Sequence, residues 1–167
     1  YTSGTTGKPK GATITHRQAI ANLQNLALLN TAAWMQGKGL RDPGQAASLL
    51  VVPLFHVTGA LSTMVTAFAA GSKLVLMPPG KFDPDHAMAT IERERVTSIG
   101  GVPTVMWRIV EAPSFDQYDL SSVSRIGYGG APAAPELVER IKAAFPKVHD
   151  TLSTAYGLTE TASVATA

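Results

Sequence analysis

The chain has 167 residues, enough for one hydrophobic core and too few for two. Apolar residues make up 45% but charged residues only 16%, against roughly 25% in a typical soluble domain. That balance excludes a disordered tail and a coiled coil, and it implies that further protein covers part of the surface. Net charge is +2 with the basic residues scattered, which argues against a nucleic-acid partner. Without cysteine there is no disulfide, thiolate zinc site or cysteine nucleophile. No apolar run reaches the ~18 residues of a membrane span. The chain opens at Tyr1 inside a motif, so the expectation is a piece of a larger, cytoplasmic protein.

The opening eleven residues, YTSGTTGKPKG, concentrate hydroxyls, three glycines and two lysines. This suits a loop that wraps polyphosphate: glycines admit oxygens to backbone N–H groups, hydroxyls donate, and lysine supplies compensating charge. It is not a Walker A loop. Two residues rather than four separate Gly4 from Gly7-Lys8, and Pro9 replaces the Ser/Thr that would hold magnesium. Thr15 and Gln18 then have capping-box spacing and open a helix predicted through Trp34. The polar stretch 37–45 separates this part from the remainder of the chain. The expected division is a phosphate-loop segment over 1–46 and a βα-repeat unit over 47–167.

Strands are predicted at 48–52, 73–77, 97–100, 124–128 and 148–153. Between them apolar residues fall three and four apart, as at Leu61, Met64, Val65 and Phe68, and at Leu137, Ile141 and Phe145. Asp83-Pro84 reads as an N-cap with proline at the first helical position, and Gly71 as a C-terminal cap. The fold class is therefore α/β, a mainly parallel sheet flanked by helices. Ligands of such sheets collect beyond the carboxyl ends of the strands.

Three further motifs follow strands. Residues 53–59, PLFHVTG, bring His56; residues 128–132, YGGAP, bring two adjacent glycines that let a flat ligand lie on the backbone. Residues 154–160, TAYGLTE, supply an aromatic face, a hydroxyl and a carboxylate suited to a hydrated magnesium ion. Alone, the His56 motif reads equally as a packed core histidine, YGGAP reads as a turn and TAYGLTE is ambiguous; four such loops at one sheet edge point to a ligand. His16, His86 and His149 read as surface or capping residues, residues 92–95 (ERER) as a solvated helix face, and Trp34 and Trp107 as core. No HExxH or GxSxG pattern occurs.

On YTSGTTGKPKG, GGAP and AYGLTE, in that order, the chain resembles the adenylate-forming superfamily of acyl-CoA synthetases, peptide-synthetase adenylation domains and beetle luciferases. The resemblance covers essentially all 167 residues and implies part of the large N-terminal domain of such an enzyme. It implies that Thr2, Ser3, Gly4, Thr5, Thr6, Gly7 and Lys8 line a mobile loop over the phosphates of ATP. Gly129, Gly130 and Ala131 would meet the adenine edge and the wall of an acyl tunnel. Tyr156, followed by Gly157, would stack on adenine, Thr159 would contact the α-phosphate, Glu160 would help hold Mg2+, and His56 would stand at the carboxylate end of the acyl site. Lys8, His56, Thr159 and Glu160 are the implied catalytic set.

The implied activity is activation of a small-molecule carboxylic acid to acyl-AMP and transfer to coenzyme A. LFHVTG and YGLTE are closer to synthetases of fatty or aryl acids than to amino-acid adenylation domains, which resemble FDxS and YGPTE. Apolar residues Phe55, Val102 and Trp107 favour a fatty acid. The family's ribose aspartate, hinge and lysine-bearing small C-terminal domain match no residue here. The alternatives are an aryl-CoA ligase, a luciferase-like member, or a non-catalytic nucleotide- or acyl-binding fragment.

Overall fold

Short apolar runs alternating with amphipathic segments can bury their surfaces on both sides only in a layered arrangement, with helices packed over a parallel sheet. The computed structural model, which describes residues 1–2, 7–37 and 44–166, has this architecture. Strands β1 (Ala47–Leu50), β2 (Lys73–Leu76), β3 (Ser98–Gly101), β4 (Arg125–Gly129), β5 (Leu152–Leu158) and β6 (Ser163–Thr166) form one sheet in the order β2-β1-β3-β4-β5-β6. The first five are parallel, and β6 returns antiparallel beside β5.

Helices α3 (Pro84–Glu94), α4 (Pro103–Val110) and α5 (Pro135–Ala144) each begin with proline at the first turn, where its missing N–H costs nothing. They share one core with the sheet, centred on Leu49, Met88, Ile91, Ile99, Met106, Ile109, Ile126, Leu137 and Ile141. Leu137, Ile141 and Phe145 are buried as their spacing predicts. Side chains alternate along a strand, so Arg125 faces away from the core that holds Ile126. There its Nη1 donates to Asn30 Oδ1 at 3.0 Å, which puts α1 (His16–Met35) on the opposite face.

The path from β1 to β2 runs one way along the sheet and the path from β2 to β3 the other. In open α/β sheets such a reversal, here at the carboxyl ends of β1 and β3, is the usual ligand position. No described helix is long and apolar enough to cross a membrane.

Several local expectations need correction. The segment after β1 is a π-helix (Thr58–Val65) running into a short α2 (Thr66–Ala69), so the α-helical spacing misassigns its inner face. Gly59 and Ala67 are buried, while Phe68 is 65% exposed. Gly71 does end α2, with φ +66 and the paired bonds Gly71 N→Phe68 O and Ser72 N→Ala67 O of a Schellman motif. Val148 belongs to a 3-10 turn (Pro146–Val148), so β5 starts later than expected and takes in AYGL. β6 adds a strand that the apolar pattern does not signal. Trp34 is 60% exposed rather than core, because α1 buries only Asn22 among its residues. Residues 92–95 are more than a solvated face: Glu94 pairs with Lys73 and Arg95 with Asp119, tying the end of α3 to β2 and to the segment before β4.

Candidate functional site

The opening loop is closed at its base. Thr2 N donates to Lys10 O at 2.8 Å and Lys10 N to Thr2 O at 3.0 Å, an antiparallel bridge across the residues between. Gly7 sits at φ +92, a left-handed conformation that favours glycine, and Lys8 is exposed beside it. Ser3, Gly4, Thr5 and Thr6 lie outside the described residues. The capping box holds: Thr15 N donates to Gln18 Oε1 at 2.7 Å and Gln18 N to Thr15 Oγ1 at 3.2 Å. It fixes His16 as the first residue of α1.

His56 stands in the turn after β1, its N–H donating to Pro53 O at 3.0 Å. The turn is tight because Gly59 packs directly on it; a Cβ there would lie 2.4 Å from Pro53 O. The Thr58 amide donates to His56 Nδ1 at 3.2 Å. An imidazole accepting at Nδ1 carries its proton on Nε2, and that N–H makes no bond to any described residue.

At the end of β5, Thr159–Thr161 form a single 3-10 turn. Thr159 is half-buried and Glu160 exposed, without a hydrogen bond or ion pair among the described residues. Tyr156 is 60% exposed and lies inside β5, so the aromatic of this motif is carried by the strand itself rather than by a loop after it. Gly129 ends β4, where a Cβ would lie 2.6 Å from Ala155 O, and Gly130 takes φ +79, with Ala131 exposed next to it.

A cleft of about 380 Å³ takes in only His56 and Thr159 of the expected site residues, and is lined also by Tyr1, His16, Phe55 and Leu61 among others. It gathers the base of the opening loop, the N-terminus of α1, the His56 turn and the end of β5. Gly129, Gly130 and Ala131 lie at the same sheet edge but do not line it. His16, read from sequence as a surface or capping residue, is exposed as expected and also lines the cleft; its place within the capping box that follows the glycine-rich loop was the available signal. Phe55, 94% exposed, also lines the cleft. Trp107 does not join it: Trp107 packs on the core with the Arg140 guanidinium 5.4 Å from its ring centroid. Val102 caps the start of α4, its Cγ1 3.6 Å from where a Cβ on Gly130 would stand. The three therefore form no common lining.

Among the described residues no group of three or more His, Asp or Glu side chains could hold a metal by itself. Glu160, exposed and without an ion pair among the described residues, directly follows Thr159 of the cleft lining and fits an ion whose remaining ligands are phosphate and water oxygens.

The profile of AMP-binding enzymes matches residues 1–167. The 4-coumarate–CoA ligase-like 5 of Oryza sativa subsp. japonica is 39% identical over 170 residues, spanning 100% of this chain and 30% of that protein. The long-chain-fatty-acid–CoA ligase of Bacillus subtilis (strain 168) is 34% identical over 165 residues, 98% of this chain and 27% of that protein. Among solved structures, a red-emitting luciferase from Phrixothrix hirtus superposes with a TM-score of 0.76 at 29% identity, covering 97% of this chain and 36% of that one. The chain thus spans about 30% of the length of the curated relatives it matches.

Proposed function

The chain belongs to the AMP-binding enzyme family, and we propose that it forms part of an AMP-forming acid–thiol ligase acting on a fatty acid, ATP and coenzyme A. The observation that carries the reading is the shared cleft: His56 and Thr159, from two strand ends, open beside the base of the glycine- and lysine-rich loop. A carboxylate is a poor electrophile at neutral pH, because its charge repels nucleophiles. Activation removes that obstacle. A carboxylate oxygen attacks the α-phosphorus of ATP, the bond to the β-phosphate oxygen breaks, and acyl-AMP and pyrophosphate result. The thiolate of coenzyme A then attacks the acyl carbon, and AMP leaves with the former carboxylate oxygen.

The residues divide this work by chemistry. His56 donates its Nε2 proton in a hydrogen bond to the acid carboxylate, which orients the attacking oxygen. Thr159 donates to the α-phosphate, and Lys8 with the hydroxyls and amides of the opening loop carries the β- and γ-phosphates. Tyr156 offers its face to adenine beside Gly129, Gly130 and Ala131. Glu160 would hold Mg2+, which when bound offsets charge building on the phosphates. No protein nucleophile is required.

A second reading, an aryl acid substrate, is favoured by the 39% identity to the 4-coumarate–CoA ligase-like protein. Both are tested on the complete protein by measuring pyrophosphate and AMP release across fatty and aromatic acids, with and without coenzyme A. Acid-dependent pyrophosphate release with thiol-dependent turnover supports a ligase, and the preferred acid selects between the readings. No acid-dependent release would refute both.

A further inference from the structure

The corner between β5 and β6 is unusual in its backbone. Ala162 takes φ +57 and Ser163 φ +107, two successive non-glycine residues in the left-handed region, and both are buried. Residues are held there only where their surroundings over-determine the conformation, and such positions cluster at functional sites. Here the surroundings can be named. Thr161 Oγ1 accepts from the Leu158 amide at 3.0 Å and lies 2.9 Å from the carbonyl oxygens of both Leu158 and Ser163. Gly157 leaves room for the Ser163 carbonyl, which a Cβ would meet at 1.7 Å. From outside the hairpin, Ser62 in the π-helix hydrogen-bonds through its hydroxyl to the hydroxyl of Ser163.

That last bond links the two halves of the cleft. The π-helix is anchored at its start by His56, which accepts at Nδ1 from the Thr58 amide and at its carbonyl from Ala60 N at 3.0 Å. Its Leu61 lines the cleft beside Thr159. Ser163 follows the turn that carries Thr159 and Glu160 after a single residue, its C-cap Ala162. Ser62 and Ser163 therefore join the element that begins at the His56 turn to the corner behind the phosphate-facing turn. π-Helical turns within helices recur at functional sites, where the extra residue re-aims a side chain. We infer that Ser62 and Ser163 are positioning residues, whose mutual hydrogen bond sets Thr159 and Glu160 relative to His56. The inference rests on the proposed ligase reading and deepens it.

The test is a double-mutant cycle in the complete protein. Ser62→Ala and Ser163→Ala are each expected to slow acid-dependent pyrophosphate release about tenfold at saturating substrates. Each should also raise the magnesium concentration giving half the maximal rate, because Glu160 is displaced. The double variant should be no slower than the slower single variant, since one bond is lost in every case. Ser62→Thr, which keeps the hydroxyl, should recover most of the rate. Ser163→Gly relieves the backbone but lacks the hydroxyl, so it should fold well and remain slow. Additive losses, an unchanged magnesium requirement, or a fast Ser163→Gly variant would overturn the positioning role. So would rates that fall only in step with Tm. A wild-type protein releasing no pyrophosphate with any acid overturns the ligase reading and this inference with it, whereas active wild type with additive variants overturns this inference alone.

Discussion

Asn22 Nδ2 donates to the carbonyl oxygen of Val164 at 2.7 Å, joining α1 to β6 across 142 residues of sequence. Asn22 is the one buried residue of α1, in a helix that otherwise leaves Ile20, Leu28, Trp34 and Met35 exposed. Together with the Asn30–Arg125 bond, it holds the helix that follows the opening loop against the far side of the sheet.

Replacing Asn22 with Ala leaves the Val164 carbonyl without its donor and is expected to cost about 1–3 kcal/mol. Urea unfolding of the complete protein, compared with wild type, measures it. An unchanged midpoint would show that α1 is held by something else.

Gly157→Ala tests the hairpin. A Cβ there would sit 1.7 Å from Ser163 O, a backbone atom that cannot rotate aside, so β5 and β6 must separate or shift. The expected loss is about 2 kcal/mol or more, in the range of overpacked sites. A Tm within a degree of wild type would contradict the close approach.

His56→Ala is expected to depress acyl-adenylate formation more strongly than ATP binding, because the proposed partner of its Nε2 proton is the acid rather than the nucleotide. Single-turnover adenylation and equilibrium ATP binding separate the two. Equal losses in both, at unchanged Tm, would remove His56 from the acid site.

Glu160→Gln keeps shape and removes charge. It is expected to slow pyrophosphate release by about a hundredfold, the scale of losing one electrostatic contact to a transition state, and to raise the magnesium requirement without altering Tm. Unchanged magnesium dependence would take Glu160 out of the metal site.

The Asp119 carboxyl is held down to about 2 by hydrogen bonds from Ser121 and then by Arg95, whose Nη1 lies 2.7 Å away. Its folded value lies below the ordinary ~3.9 of an unfolded aspartate, so acid protonates the unfolded chain first. The contribution is complete above about pH 4 and disappears as pH falls through about 2. The stability gap between wild type and Asp119→Asn should therefore narrow over that window. A gap that stays constant from about pH 5 down to about 2 would contradict it.

Local chemistry made much of this structure readable in advance. The capping box at Thr15, the Asp83-Pro84 start of α3 and the Schellman end at Gly71 depend on neighbours within a few residues, so the sequence carries them directly. The first four parallel strands are legible too, because their apolar runs have no other means of burial; β5 is mostly exposed and overlaps the predicted 148–153 only at Leu152 and Ser153. The misreadings share a cause in tertiary context. The β6 segment is short, and its pairing depends on a hairpin whose left-handed corner uses Ala162 and Ser163 where glycine would have signalled it. His16 is exposed as expected, and only the packing of the His56 turn nearby places it at the cleft. Trp34 looks like core until α1 proves to lie almost bare.

The π-helix makes chain length itself a constrained quantity. Its widened turn is equivalent to one residue inserted into an α-helix, and both ends of the segment are fixed, by His56 at the start and by the Gly71 stop beyond α2. A surface loop absorbs the gain or loss of a residue with little effect. Between these two fixed points a single deletion has nowhere to be absorbed except by tightening the helix, which would rotate Ser62 away from Ser163 and send Leu61 out of the cleft. Apart from Gly59, which has no room for a Cβ, and Ser62, whose hydroxyl is bonded, residues 58–65 should thus accept exchanges of side chain far more readily than changes in their number.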